Sequence, residues 1–409
     1  MEASLLIRAR GTVKSIDAVR EGACEITVDV AGKSRRAIAY THLVGEVRVG
    51  DEVLLNITAV EKGLGTGGID VVVANLSPPY EDGVGEGEPG HIVKARYTPV
   101  QHTVLSVEEE DSPCRKAIDD FESLGGMPVV IGQLHSQLAP AAAAIKRVSR
   151  ASTPPHPPPC RGGGEVDMSF LPLPEGGEDK TSFPLLPRGS EGGCRVAYIM
   201  TDSAALPLAF SRLAAELREK GLVDCTITAG QAFGGELEAV NVYTALIAAK
   251  QAAMADVAIV CPGPGHVGTG TRFGFSAIEQ GEIVNAVNLL GGNPIAVARI
   301  SYADPRPRHQ GLSHHTLTAL GLVALTKCTL VLPMIDQMKL NIIQEQIAHS
   351  PVSYRHKVRV LDGTPGIVEL QEKGIAMSSM GRSFDEDPEF FLAAAAAGVL
   401  AGQVLNSEC

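Results

Sequence analysis

The stretch Asp304–His315, DPRPRHQGLSHH, places two arginines, three histidines and an aspartate within twelve positions. Arginine presents a planar fork of donors matched to phosphate or carboxylate oxygens. Histidine moves protons near neutral pH or ligates a metal. The set suits an anion held by Arg306 and Arg308, with Asp304 beside it and His309 as an acid–base group. Ser313 is a natural N-cap, so His314 and His315 fall in the first turn of a helix. The positive end of that helix disfavours an imidazolium and predicts neutral rings. Adjacent helical residues point in different directions, so one of the two histidines is expected to face His309. The structural alternative is a set of surface contacts and arginine ion pairs.

A second stretch, PGPGHVGTGTRFGF, follows the apolar run DVAIVC. Gly263, Gly265 and Gly268 match the GxGxxG spacing of a dinucleotide site. That site also needs an acidic residue roughly 20 positions on, and none closes the next strand before Asp304. Pro262, Pro264, Thr269, Gly270 and Thr271 also lengthen the loop. The expectation is therefore an anion cradle of backbone N–H groups, helped by Arg272 and the hydroxyls of Thr269 and Thr271. A plain glycine turn is the alternative. No cofactor is assigned. A metal centre would need three or four converging ligands. His309, His314 or His315, His135, Asp202 and Asp304 offer the atoms, but their spacing fits no established pattern. Asp202, after a strand, is a further catalytic candidate. Glu236 is expected near the start of a helix over 236–254 and is a weaker ligand-binding candidate. No GxSxG, Walker A or HExxH sequence occurs.

These loops need a frame. From Cys194 onward apolar strands alternate with amphipathic helices. The strands are expected at 196–200, 225–229, 257–261, 295–300, 329–333 and 358–361, with an earlier one at 129–131. The helices are expected at 204–220, 236–254, 274–290, 313–326 and 336–348. Alternation of this kind requires crossover connections, hence an α/β fold with a largely parallel sheet and helices on both faces. Ligands bind such sheets beyond the carboxyl ends of the strands. The polar and glycine-rich loops all follow strands, whereas the opposite connections (KGLVD, MAD, GGNP, LTK) are plain. One sheet edge therefore carries the site.

Residues 1–78 read as a small β-barrel of OB or SH3 type, with short β-rich runs between turns. Residues 79–90 read as a linker, 91–148 as the first αβ part of the main domain, 149–193 as a mobile Pro/Gly-rich insert, and 194–409 as the main α/β domain. The barrel lacks the aromatic platform and dense basic residues that nucleic acid needs. The net charge of −12 also argues against nucleic-acid or anionic-membrane partners.

The longest apolar run, 390–401, is shorter than the ~20 residues of a bilayer span. It follows Asp387-Pro388-Glu389, a helix start, and reads as a buried helix. The N-terminus has no signal-peptide core. Eight cysteines without a CxxC pair suggest reduced thiols and a cytoplasmic setting. A small anionic ligand and a homo-oligomer are the expected partners.

The segments GHIVKARYTP, TDSAALPLAFS, AFGGELEAVNVY, GPGHVGTGTRFGF and ADPRPRHQGLSHHTLTAL resemble a bacterial family catalogued only as a domain of unknown function. The likeness extends over nearly the whole chain apart from the Pro/Gly insert. It implies a bacterial cytoplasmic protein and brings no activity, substrate or site residue with it.

Overall fold

The computed structural model describes residues 5–64, 67–77, 90–151 and 194–407. The linker reading, Gly90 excepted, and most of the insert lie outside the described residues.

Five strands, β1 (Arg8–Arg20), β2 (Ala23–Val30), β3 (Lys33–Ala39), β4 (Glu52–Asn56) and β5 (Asp70–Asn75), close into a barrel. Their order β1-β2-β3-β5-β4 has β3 parallel to β5 and the other pairs antiparallel, the five-stranded Greek-key arrangement of an OB barrel. The barrel core is small: Val13, Ile26, Val28, Val53 and Leu55 are buried there. Gly11 makes the closure possible, because a Cβ there would lie 2.5 Å from the Asp29 carbonyl. Strand β4 stops at Asn56, and Thr58–Glu61 forms a helical turn after it.

After the hairpin β6 (Ile92–Lys94) and β7 (His102–Val104), the main sheet begins with β8 (Pro128–Ile131). Helix α1 (Leu138–Ala151), β9 (Val196–Thr201), α2 (Arg212–Glu219), β10 (Cys225–Ala229) and β11 (Leu237–Ala239) follow. Then come α3 (Val242–Gln251), β12 (Val257–Pro262), α4 (Glu279–Leu289) and β13 (Asn293–Val297). A two-residue pair, β14 (Ile300–Ser301) and β15 (Gly311–Leu312), precedes α5 (His314–Thr318). The chain ends through β16 (Thr329–Pro333), α6 (Gln337–Ala348), β17 (Lys357–Leu361), α7 (Thr364–Glu372) and α8 (Pro388–Ser407).

The eight sheet strands are all parallel in the order β11-β10-β9-β12-β8-β13-β16-β17. Their central members are buried along their whole length, as a sheet covered on both faces requires. The chain leaves β8 toward β9, β10 and β11, returns to place β12 beside it, and then builds outward from β13. In open α/β sheets, reversals of this kind mark where ligands bind, beyond the carboxyl ends of the strands.

Alanine-rich composition has a packing reason. Helix α8 lies so close to α1 that a Cβ at Gly398 would sit 2.3 Å from the Ala141 carbonyl. Only glycine at 398 permits that approach, with alanines around it. Of the described helices, α8 alone is long and apolar enough to cross a membrane, and 67% of its apolar window is buried inside the protein. It is a core helix. Asp387, expected as its cap, turns its carboxylate to the Ser301 hydroxyl at 2.7 Å and to Arg382 at 3.0 Å.

The helix expected over 236–254 is a correction. Residues 237–239 form the edge strand β11, and the helix starts only at Val242, capped by Asn241. The helix expected over 204–220 is likewise confined to Arg212–Glu219, capped by Ser211.

Candidate functional site

Sheet strand β13 ends at Val297, and Arg299 emerges two residues later beside the strap β14–β15. Pairing of Ile300 with Leu312 and Ser301 with Gly311 closes Tyr302–Gln310 into an excursion with fixed ends. Within it Asp304 is buried and receives a bidentate fork from Arg306, Nε to Oδ1 at 2.8 Å and Nη2 to Oδ2 at 2.6 Å. That bond holds the Asp304 carboxyl well below its usual range, against the burial that would raise it. Both residues were expected to meet a ligand, but their strongest contacts are with each other.

Four imidazoles gather around the end of this excursion. His309 and His315 are each 2% exposed. The ring centroids of His309 and His314 lie 5.1 Å apart, those of His309 and His315 4.9 Å, and those of His266 and His315 5.2 Å. Phe275 stacks on His315 at 3.9 Å with ring planes 4° apart. Ser313 caps α5 and also meets His309 Nδ1 at 2.7 Å. His266 Nδ1 meets the Ser276 hydroxyl at 3.2 Å. The Nε2 atoms of His266 and His314 are buried without a hydrogen-bond partner among the described residues.

The electrostatics are set by Arg299. It is 2% exposed, and none of the described carboxylates lies within ion-pair distance. Its Nη1 donates to His315 Nδ1 at 2.8 Å, and its Nη2 contacts the Met380 sulfur at 3.5 Å. Burial, and then Arg299, pushes His309 down to about 3 and His315 down to about 2. His266 falls to about 4 for the same two reasons, and His314 is lowered by burial and then Arg308. Neutral rings were expected from the helix end; burial and arginine are the larger causes.

The glycine loop reaches this cluster. A methyl at Gly268 would lie 3.3 Å from His315 Cε1 and 3.6 Å from His266 Nε2, and one at Gly270 would lie 3.4 Å from Arg308 Cζ. Gly263 instead packs at the foot of the loop against Ala205 and Met200, and Gly265 turns in open space at φ +100°. Thr269 and Thr271 brace the loop: their hydroxyls are 2.9 Å apart, Thr269 bonds the Gly274 carbonyl, and Gly274 N–H bonds Thr271. Arg272 is exposed. The helix α4 begins only at Glu279, so the glycines do not lead into a helix N-terminus as a dinucleotide fingerprint requires.

Other expected members stand elsewhere. Asp202 follows β9, which lies three strand positions from β13, or roughly 14 Å at 4.8 Å per strand. Its Oδ2 accepts the Gln231 N–H at 2.7 Å. His135 is held between Tyr198 and Ser211 and belongs to neither group. Glu236 precedes β11 at the amino edge of the sheet, where it pairs with Arg218 and accepts from Thr226 N–H at 2.9 Å. It is removed from the site because the helix that would have carried it is a strand.

Near Asp202 lies a cavity of about 580 Å³ lined by Thr201, Asp202, Asn241, Tyr243, Glu279 and Glu282 among others. One oxygen of Glu279 accepts both the Thr201 and the Ser203 hydroxyls at 2.7 Å. Burial nevertheless pushes its carboxyl up to about 7. Glu279, His266, Arg299 and Arg382 were missed in the sequence. His266 alone had a local signal, a histidine inside the glycine loop.

Three imidazole nitrogens, one each from His309, His314 and His315, lie within 4.8 Å of one another and could hold a metal. The arginine opposes this. A ligating histidine presents its other nitrogen as a donor to a carboxylate, carbonyl or water. His315 Nδ1 instead faces a guanidinium that can only donate, so the ring proton sits on Nε2. Neither nitrogen of His315 then has a free lone pair, and Arg299 adds positive charge where a cation would sit.

The chain belongs to the family described as "Protein of unknown function (DUF3866)", which matches residues 36–153 and 186–398. The interval between the two matched segments falls in the Pro/Gly-rich insert. No curated protein matches the chain.

Proposed function

We propose that this DUF3866 chain binds a small anionic metabolite, phosphorylated or carboxylated, at the carboxyl edge of its parallel sheet. The observation that carries the reading is Arg299, a buried guanidinium with no described carboxylate in ion-pair range, set among neutral imidazoles. Isolated buried charge is costly and is normally paired. An anion that completes this pairing is a natural occupant. Arg308, exposed beside Gly270, and Arg306 stand at the rim. A cytoplasmic setting is part of the reading, supported by six described cysteines that are all free.

Acid–base work does not suit His309 or His315, whose rings resist protonation at neutral pH. Glu279, titrating near 7 at the cavity, is the better group for proton transfer. The alternative is a ligand-sensing or structural homo-oligomer without turnover.

The test is a thermal-shift panel of phosphate, sulfate, succinate and citrate against chloride at fixed ionic strength. At least one of these anions should raise Tm in the wild type and not in Arg299→Met. A folded protein indifferent to all of them would refute the reading.

A further inference from the structure

We propose that the anion seated at Arg299 and the glycine loop is a tetrahedral phosphoryl-type dianion rather than a carboxylate, an inference that rests on the anion-binding reading above. Four guanidiniums, Arg299, Arg306, Arg308 and Arg382, stand in this region against two buried carboxylates, Asp304 and Asp387, with Glu386 near Arg382 but exposed to solvent, where its charge is screened. The excess is two positive charges, which a dianion neutralises and a single carboxylate does not.

Donor geometry points the same way. A carboxylate is best held by one arginine fork through two parallel bonds. The fork of Arg306 is already filled by Asp304, and Arg299 has given one Nη to His315 and the other to Met380. What remains is the exposed fork of Arg308, together with single polar atoms on separate chain segments that a planar carboxylate in that fork would leave unmet. Among the described residues His315 Nε2–H and the buried Nε2 atoms of His266 and His314 have no hydrogen-bond partner, and buried Arg382 Nη2, 3.8 Å from Asp304 Oδ2, makes no hydrogen bond. These come from the glycine loop, the start of α5 and the 380s turn. Polar atoms offered from three separate segments, His315 Nε2–H and Arg382 Nη2 as donors among them, suit an acceptor whose oxygens also point in different directions. Phosphate and sulfate have that shape; a planar carboxylate does not. Gly268 and Gly270, lacking a Cβ, let the loop lie against His315 and Arg308.

Calorimetric titration of the full chain tests this with four probes: inorganic phosphate, glycerol 3-phosphate, sulfate and succinate, at constant ionic strength. Phosphate and sulfate should bind at least about tenfold more tightly than succinate. Glycerol 3-phosphate tighter than inorganic phosphate assigns the site to a monoester; the reverse order assigns it to the free ion, and either supports the proposal. Phosphate affinity should rise from about pH 5.5 to about pH 7.5 as the ligand loses its second proton, while sulfate stays level.

Arg308→Ala, at an exposed position, should weaken phosphate several-fold without unfolding the chain, and Arg299→Met should abolish binding. Succinate tighter than phosphate would overturn the dianion assignment and leave anion binding standing. Failure of all four probes with folded protein would overturn both. Phosphate affinity unchanged in both variants would place the ion elsewhere and overturn the proposal.

Discussion

The guanidinium of Arg299 donates to Nδ1 of His315 across 2.8 Å in the protein interior. Because arginine has no acceptor, this bond fixes the histidine: lone pair on Nδ1, proton on Nε2. The consequence can be read directly. Imidazole nitrogen spectra at neutral pH should show His315 in the Nε2–H form, and Arg299→Met should release it to a mixture of tautomers. An Nδ1–H or doubly protonated His315 in the wild type would contradict the assignment.

The same bond makes a statement about metals. His309, His314 and His315 are close enough to share an ion, but Arg299 blocks one ligand and repels the cation. Wild-type protein purified without chelator should carry far less than one equivalent of zinc by elemental analysis. Arg299→Met frees His315 Nε2 and removes a positive charge, so its affinity for zinc or cobalt should rise at least about tenfold. A stoichiometric metal in the wild type would defeat the anion reading of this cluster.

The parallel sheet and its loaded edge were legible because both follow from periodicity. Fully apolar runs such as Val257–Cys261 must be buried on both faces, and parallel strands bring every following loop to one edge. The meeting of Gly268 and Gly270 with His315 and Arg308 follows from that rule. What the pattern could not show was strand order. Asp202 and Arg299 both follow sheet strands, but β12 and β8 intervene and separate them. Glu236 was misplaced because a three-residue edge strand leaves too short a signal against the helical pattern after it. Arg299 itself looked like the polar end of an apolar strand; its importance lies in the lack of a carboxylate partner, which only the packing reveals.

Stability should depend on pH through the buried histidines. His309 and His315 have folded values of about 3 and about 2, against an unfolded value of about 6.5. Between these limits the unfolded chain binds more protons, so stability is full above about pH 6.5 and is lost as pH falls. Each ring contributes a slope of up to about 1.4 kcal/mol per pH unit in that window. His266, lowered to about 4, acts in the same direction. Urea midpoints should therefore drop steadily from about pH 6.5 to about pH 4.5, and a saturating anion should shift the whole curve upward. A flat profile over that range would mean that these rings are hydrated rather than buried.

Glu279 has the opposite sign. Its carboxyl is raised by burial from 4.5 to about 7, while the Thr201 and Ser203 hydroxyls partly offset the shift. The folded state therefore holds an extra proton between these values, and this contribution to stability is lost as pH rises through about 7. Glu279→Gln keeps an oxygen for both hydroxyls and removes the charge. The variant should match wild type near pH 5 and exceed it by about 1–3 kcal/mol near pH 8.5. If the cavity also carries proton transfer, turnover of any substrate found should follow an ionisation near 7 in the wild type and be lost in the glutamine variant despite its higher stability. Chemical denaturation at the two pH values separates the roles, because a carboxylate that is merely structural predicts the stability gain alone.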